Sequence, residues 1–395
     1  MNGAMKPVWQ VSEIRTAILC LAALVHGLFS SPAPADPGLA EAAIALCLLI
    51  AMTGQLLNFL NADALFTSPR QLSWLWLCLI PLSIGIITGN NIRDWSRDLA
   101  AIIFLGLPVL VGALPRRDIQ KFALAIAAAG SALALRYWIV TGATPITLNN
   151  LKNGDGLLYL SLDPSMLFAA VYLPIQFIEI QGATLRAWLL RGAALAGAFL
   201  CWGALGGMEM RGALGLGAAA LVVFALTQHK RPIIPIMMAV TALLIALLFS
   251  ESLMRMVDAL WLKQQQVGLN ARDDDLRVIW RLQAADPFYL LFGRGWGATY
   301  SSPAVGGYWV NYSHSALGFF LLKTGLCGLA AIAAYILSIT SGVRQIWRQH
   351  VGLILAISAP LLLSFTLYTS YKFFSCGMLL LLLGSLDANP DTEPC

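Results

Sequence analysis

The sequence predicts an all-α protein, a polytopic transmembrane helical bundle of about twelve spans with one large outer loop containing short helices. Three observations predict it. Of 395 residues, 58% are hydrophobic and only 11% charged, with a mean hydropathy of +0.74; a soluble domain carries roughly 25% charged residues. Apolar runs approaching the ~20 residues that span a bilayer recur along the whole chain. Short connections with paired basic residues and almost no acids alternate with the other loops, as cytoplasmic connections do. Composition excludes an ordinary soluble enzyme. A net charge of +5 without a basic stripe gives no footing to a nucleic-acid partner. The chain 1–395 reads as a single integral membrane domain.

In order, the apolar stretches fall at roughly 16–29, 41–60, 72–88, 99–114, 121–140, 166–181, 187–205, 212–228, 232–250, 314–338, 351–369 and 371–386. The first has two readings. Lys6 and Arg15 precede it and Ala33-Pro34-Ala35 resembles a cleavage site, so a signal peptide fits as well as an uncleaved helix; the flanking prolines favour the helix. The connections at 115–121 (Arg116, Arg117, Lys121), 182–191 (Arg186, Arg191), 229–231 (Lys230, Arg231) and 339–350 (Arg344, Arg348) hold the basic pairs. They alternate correctly if both termini are cytoplasmic. Two outer segments are then long: 141–165, and 251–313 between spans nine and ten. Every cysteine except Cys395 lies inside a predicted span, which suits buried thiols better than a disulfide framework.

Several motifs fail on context. Gly318 to Lys323-Thr324 lacks the glycine before the lysine that a phosphate loop needs, and lies in an apolar helix. Gly293-Arg294-Gly295-Trp296-Gly297 has no βαβ setting for a dinucleotide. Asp273-Asp274-Asp275 has a metal-ligand spacing, but these acids read more simply as opening a helix over Leu276 to Ala285 and pairing with Arg277. The four histidines show no zinc spacing, so neither metal nor cofactor is expected.

What remains gathers on the outer side. Acids and bases are equal in number in 251–313, so anion recognition there must come from individually placed arginines. Arg277 and Arg281, four apart, share a helix face and suit either bidentate phosphate contacts or ion pairs with the preceding aspartates. Leu276 and Ile279 can lie against the membrane body. Arg211, in the tight turn Gly206-Gly207-Met208-Glu209-Met210-Arg211-Gly212, is an ionisable group at the membrane and a functional candidate by that placement. Arg136 and Lys323 are weaker cases. His314 stands where the long loop becomes the tenth span. The helix dipole and nearby arginines favour a neutral imidazole there, able to accept a proton; an interfacial histidine without chemistry is the plain alternative. Trp296, Tyr300, Tyr308, Trp309 and Tyr312 flank it, as an interfacial aromatic belt or as sugar-stacking platforms.

These residues resemble a known family. His314-Ser315, nine residues, then Gly325-Leu326-Cys327-Gly328 is similar to the signature of O-antigen ligases and related O-antigen polymerases. Leu276-Arg277-Val278-Ile279-Trp280 resembles the family's arginine-centred segment, Phe292-Gly293-Arg294-Gly295-Trp296-Gly297 its glycine-rich stretch, and Met210-Arg211-Gly212-Ala213-Leu214 its Ser-Arg-Gly-Ala segment. The resemblance is specific over 205–330 and departs at Met210, Leu276 and Ser315. It implies a membrane glycosyltransferase of the bacterial inner membrane, with its active site facing the periplasm. The implied reaction is a metal-independent, inverting transfer of a glycan from undecaprenyl diphosphate to a hydroxyl of lipid A–core. His314 would be the base, Arg211 and Arg277 the catalytic cations. Arg281 and Arg136 would bind substrate, with Trp296 and Tyr312 as stacking groups. A polymerase that joins two carrier-linked repeat units would use the same residues. A transporter or flippase fits less well, because the notable charges gather at one face and no internal repeat is evident.

Overall fold

Among the described residues, helices form over most of the apolar runs. The computed structural model of the chain describes residues 11–30, 38–59, 68–141, 160–208, 210–227 and 272–386, and it is predominantly helical. In chain order come α1 (Val11–Phe29), α2 (Leu39–Phe59), α3 (Pro69–Ile87), α4 (Ile92–Leu105), α5 (Leu107–Leu110), α6 (Arg116–Thr141), α7 (Pro164–Glu179), α8 (Leu185–Gly207) and α9 (Arg211–Thr227). Then follow α10 (Arg272–Ala284), α11 (Pro287–Phe292), a hairpin of β1 (Tyr300–Ser302) and β2 (Tyr308–Val310), α12 (Ala316–Thr340), α13 (Val343–Thr366) and α14 (Phe374–Leu386). Among the described residues six helices (α1, α3, α6, α8, α12 and α13) are long and apolar enough to cross a bilayer. Shorter apolar segments lie in α2, α7, α9 and α14. The protein is a membrane-embedded helical bundle. The expected span at 232–250, residues 251–271 of the large loop, 142–159, Ala33-Pro34-Ala35 and Glu209 lie outside the described residues.

One expected span is corrected. Residues 99–114 do not form a single helix. α4 begins earlier, at Ile92 behind the Asn91 cap, and carries Arg93, Asp94, Arg97 and Asp98. Gly106 closes it after 14 residues, about 21 Å at 1.5 Å per residue. Pro108 then starts the separate turn α5, since proline suits the first helical positions but not an interior.

The centre of the bundle is α14, buried on every face, as a helix apolar all round must be. Among its neighbours, α7 begins on Asp163, whose side chain accepts from the Ser165 N–H at 2.9 Å, with Pro164 at its first position. Leu185, Leu189, Ile139 and Leu226 point outward and exposed from α6, α8 and α9, which suits lipid contact.

Prolines inside helices (Pro81, Pro174 and Pro360) leave carbonyls without their usual donors, and at the first two an indole fills the gap. Pro81 in α3 cannot donate to Leu77, whose carbonyl accepts from Trp296 Nε1 at 3.1 Å. Pro174 in α7 cannot donate to Ala170, whose carbonyl accepts from Trp202 Nε1 at 2.8 Å. Satisfying freed backbone groups is obligatory where no water is at hand.

The largest interruption is in α12. Gly325 adopts φ 64°, ψ −162° and breaks the helix. The carbonyls just before the break are taken up from outside: Gln283 Nε2 donates to Leu321 and Leu322, both at 2.7 Å, and the N–H groups of Arg294 and Gly295 donate to Leu322 and Lys323 at 3.0 and 2.9 Å. The two glycine-bearing segments at 292–297 and 325–328 therefore dock on one another. A Cβ on Gly325 would stand 2.5 Å from the Leu291 carbonyl and 2.6 Å from the Gly293 nitrogen. Gly325→Ala is accordingly expected to destabilise the protein by more than the ~1–3 kcal/mol of the strained dihedral alone. Thermal melting of the detergent-solubilised protein checks this, and an unchanged transition would contradict the docking.

Candidate functional site

Helix α10 presents one buried edge. Asp275, Ile279 and Gln283, spaced four apart, are all buried, whereas Asp273, Asp274, Arg277, Trp280 and Arg281 are exposed. Ile279 enters a small apolar cluster with Tyr300, Leu321 and Leu322, which fixes α10 against α12. Asp275 is thereby carried inward, 1% exposed.

Both oxygens of Asp275 are used. Oδ1 accepts the Ser302 hydroxyl at 2.6 Å, with the Ala304 N–H at 3.4 Å; Oδ2 faces His314 Nδ1 at 2.9 Å. The hairpin supplies Ser302, paired with Tyr308 across the strands. His314 precedes Ser315, whose hydroxyl accepts from the Gly318 N–H at 3.1 Å and so caps α12. The imidazole keeps 26% of its surface open, and Tyr312 meets its ring edge-on at 5.6 Å. Burial above all holds the neighbouring Tyr300 phenol well above its ordinary range, so it stays neutral.

On the other side of α10 the same two helices enclose a groove of about 600 Å³. Its walls are Leu276 and Trp280 from α10 and Leu317, Leu321, Leu326 and Leu329 from α12; Asp273, Arg277 and Arg281 add charge. Arg277 is exposed and pairs with Asp274 at 3.1 Å. An apolar trough with two guanidinium groups suits an amphiphile with an anionic head. No family model matches the chain, and no curated protein matches it at a significant level.

The other candidates are distributed differently. Arg211 opens α9, partly exposed, and is not among the residues that line the groove. Its neighbour Gly212 packs toward Leu363, Leu367 and Tyr368 at the end of α13. Arg136 donates to the carbonyls of Gly27 (3.1 Å) and Ser30 (2.7 Å), so it caps the C-terminal end of α1, where a cation is favoured. Trp296 is fully buried, stacked on Phe319 with centroids 5.9 Å apart and bonded to α3. It has no free face for a sugar, and its role is to hold the glycine segment. Tyr312 remains beside the imidazole.

Lys323 is also structural. It is fully buried, with its amine 2.8 Å from Asp98 Oδ2, and it donates to the Ala298 carbonyl. Asp98 accepts the Gly297 N–H at 2.8 Å as well, and Lys372 approaches its other oxygen at 4.0 Å. One carboxylate thus ties α4, α12, the glycine segment and the turn before α14 together. Among the described residues no group of three His, Cys, Asp or Glu is arranged to hold a metal.

Sequence reasoning misses Asp275 because the three aspartates read together, as acids that open a helix and pair with Arg277. A signal is present: Asp275 is four residues before Ile279, the residue expected to face the membrane body.

Proposed function

We propose that the protein is a membrane glycosyltransferase of the O-antigen ligase kind, moving a glycan from undecaprenyl diphosphate to a sugar hydroxyl of lipid A–core. One observation carries the reading: the same two helices, α10 and α12, build both an oriented, solvent-reachable imidazole and an apolar groove bearing two arginines. In this reading the polyprenyl chain follows Leu317, Leu321, Leu326 and Leu329, and the diphosphate meets Arg277 and Arg281. His314 Nε2 takes the proton from the acceptor hydroxyl as its oxygen attacks the anomeric carbon. The bond to the diphosphate breaks and its electron pair leaves with the phosphate, where guanidinium charge offsets it. Arg211 would contribute to the same anion when donor is bound. The basic connections orient the site toward the periplasm, with both termini in the cytoplasm and about twelve spans in the inner membrane.

The lipopolysaccharide profile of a strain lacking this protein tests the reading. Bare core with polymer retained on the carrier is the expected result. Core bearing a single repeat unit would assign a polymerase instead, and an unchanged profile would sink both. Arg277→Ala with Arg281→Ala, at matched membrane levels, is expected to lower transfer by about 10- to 100-fold for each guanidinium removed. Transfer equal to wild type would remove the groove from the mechanism.

A further inference from the structure

We propose that Asp275 is a positioning residue that sets the tautomer of His314; the proposal rests on the glycosyl-transfer reading above. A carboxylate only accepts hydrogen bonds. With Oδ1 held by the Ser302 hydroxyl and the Ala304 N–H, Oδ2 is left to accept a hydrogen bond from His314 Nδ1–H. The imidazole then carries its hydrogen on Nδ1, and Nε2 holds the lone pair. That nitrogen is the one not bonded to Asp275, and the ring's open surface lets an acceptor hydroxyl reach it. When Nε2 accepts the hydroxyl proton, the positive charge that forms on the ring lies against a carboxylate that is 1% exposed, where attraction is weakly screened. Asp275 touches neither sugar nor diphosphate in this scheme and takes no proton itself.

The substitution Asp275→Asn separates this role from simple packing. The donors from Ser302 and Ala304 select the amide oxygen for the Oδ1 position, so the amide NH₂ faces Nδ1. His314 must then accept at Nδ1 and carry its hydrogen on Nε2. The base becomes a donor while the side-chain volume hardly changes.

The chain has four histidines, so ¹⁵N-histidine labelling of the full-length protein in lipid bilayers gives a readable solid-state NMR spectrum, and His314→Gln identifies the His314 signals. In wild type at neutral pH the hydrogen is expected on Nδ1; finding it on Nε2 overturns the proposal even if no variant folds. In Asp275→Asn the hydrogen is expected to move to Nε2, and glycan transfer to fall by about 10²- to 10⁴-fold through kcat, with Asp275→Glu restoring part of it. An unchanged tautomer with reduced transfer would overturn the positioning and leave the transfer reading standing. An inverted tautomer in a protein whose wild type transfers no glycan would do the reverse.

Discussion

His314→Ala is expected to lower glycan transfer by about 10²- to 10⁴-fold while the protein still reaches the membrane folded. The two halves of that expectation have separate grounds. Removing the imidazole removes the group assigned to take the acceptor proton. It removes little structure, because the ring is partly open to solvent and makes one hydrogen bond to Asp275, whose other oxygen keeps Ser302. The missing bond is worth about 1.5–3 kcal/mol if charged, shared over a bundle whose core lies elsewhere. Transfer measured at matched membrane levels, with size-exclusion profiles alongside, checks both halves. Transfer equal to wild type would end the case for His314 as base.

The second large effect is on stability. Asp98→Ala leaves the Lys323 amine fully buried beside the Ala298 carbonyl and the Phe319 ring with no carboxylate in contact, Lys372 without its Asp98 carboxylate, and the Gly297 N–H without its Asp98 acceptor. Breaking a buried pair from one side costs about 3–5 kcal/mol, far more than replacing both partners. Asp98→Asn with Lys323→Met keeps an acceptor for Gly297 and removes a buried charge from each side. The double variant is therefore expected to melt closer to wild type than Asp98→Ala does. Thermal melting in detergent ranks the two; equal transitions would mean that the Asp98–Lys323 pair contributes little.

The bundle and the positions of its helices are legible in the sequence because span length and apolar composition are local properties. Gly106 and Pro108 are visible too, yet the run at 99–114 still reads as continuous, since apolarity outweighs them. Arg277 and Arg281 share a face through helical spacing alone, and the groove uses that face. Trp296 misleads, because its partner is the carbonyl left open by Pro81, more than two hundred residues away. Arg136 looks like a charge facing substrate and instead closes α1. Asp275 is hidden among its neighbours for a similar reason: the hydroxyl and imidazole that engage it come from a hairpin and a helix start that no spacing in the acid run announces.

The break at Gly325 has a bearing on how the chain is built. The donors that complete the upper part of α12 belong to Gln283, Arg294 and Gly295, all of which leave the ribosome before α12 does. Until the later helix arrives water is their partner, and the later helix brings carbonyls that its own backbone leaves open at the Gly325 break. Assembly here is thus a meeting of two incomplete halves, each tolerable only near water or near the other. Insertion of α12 and docking of the segment from Gln283 to Gly295 are thereby coupled, because each completes the other's hydrogen bonds.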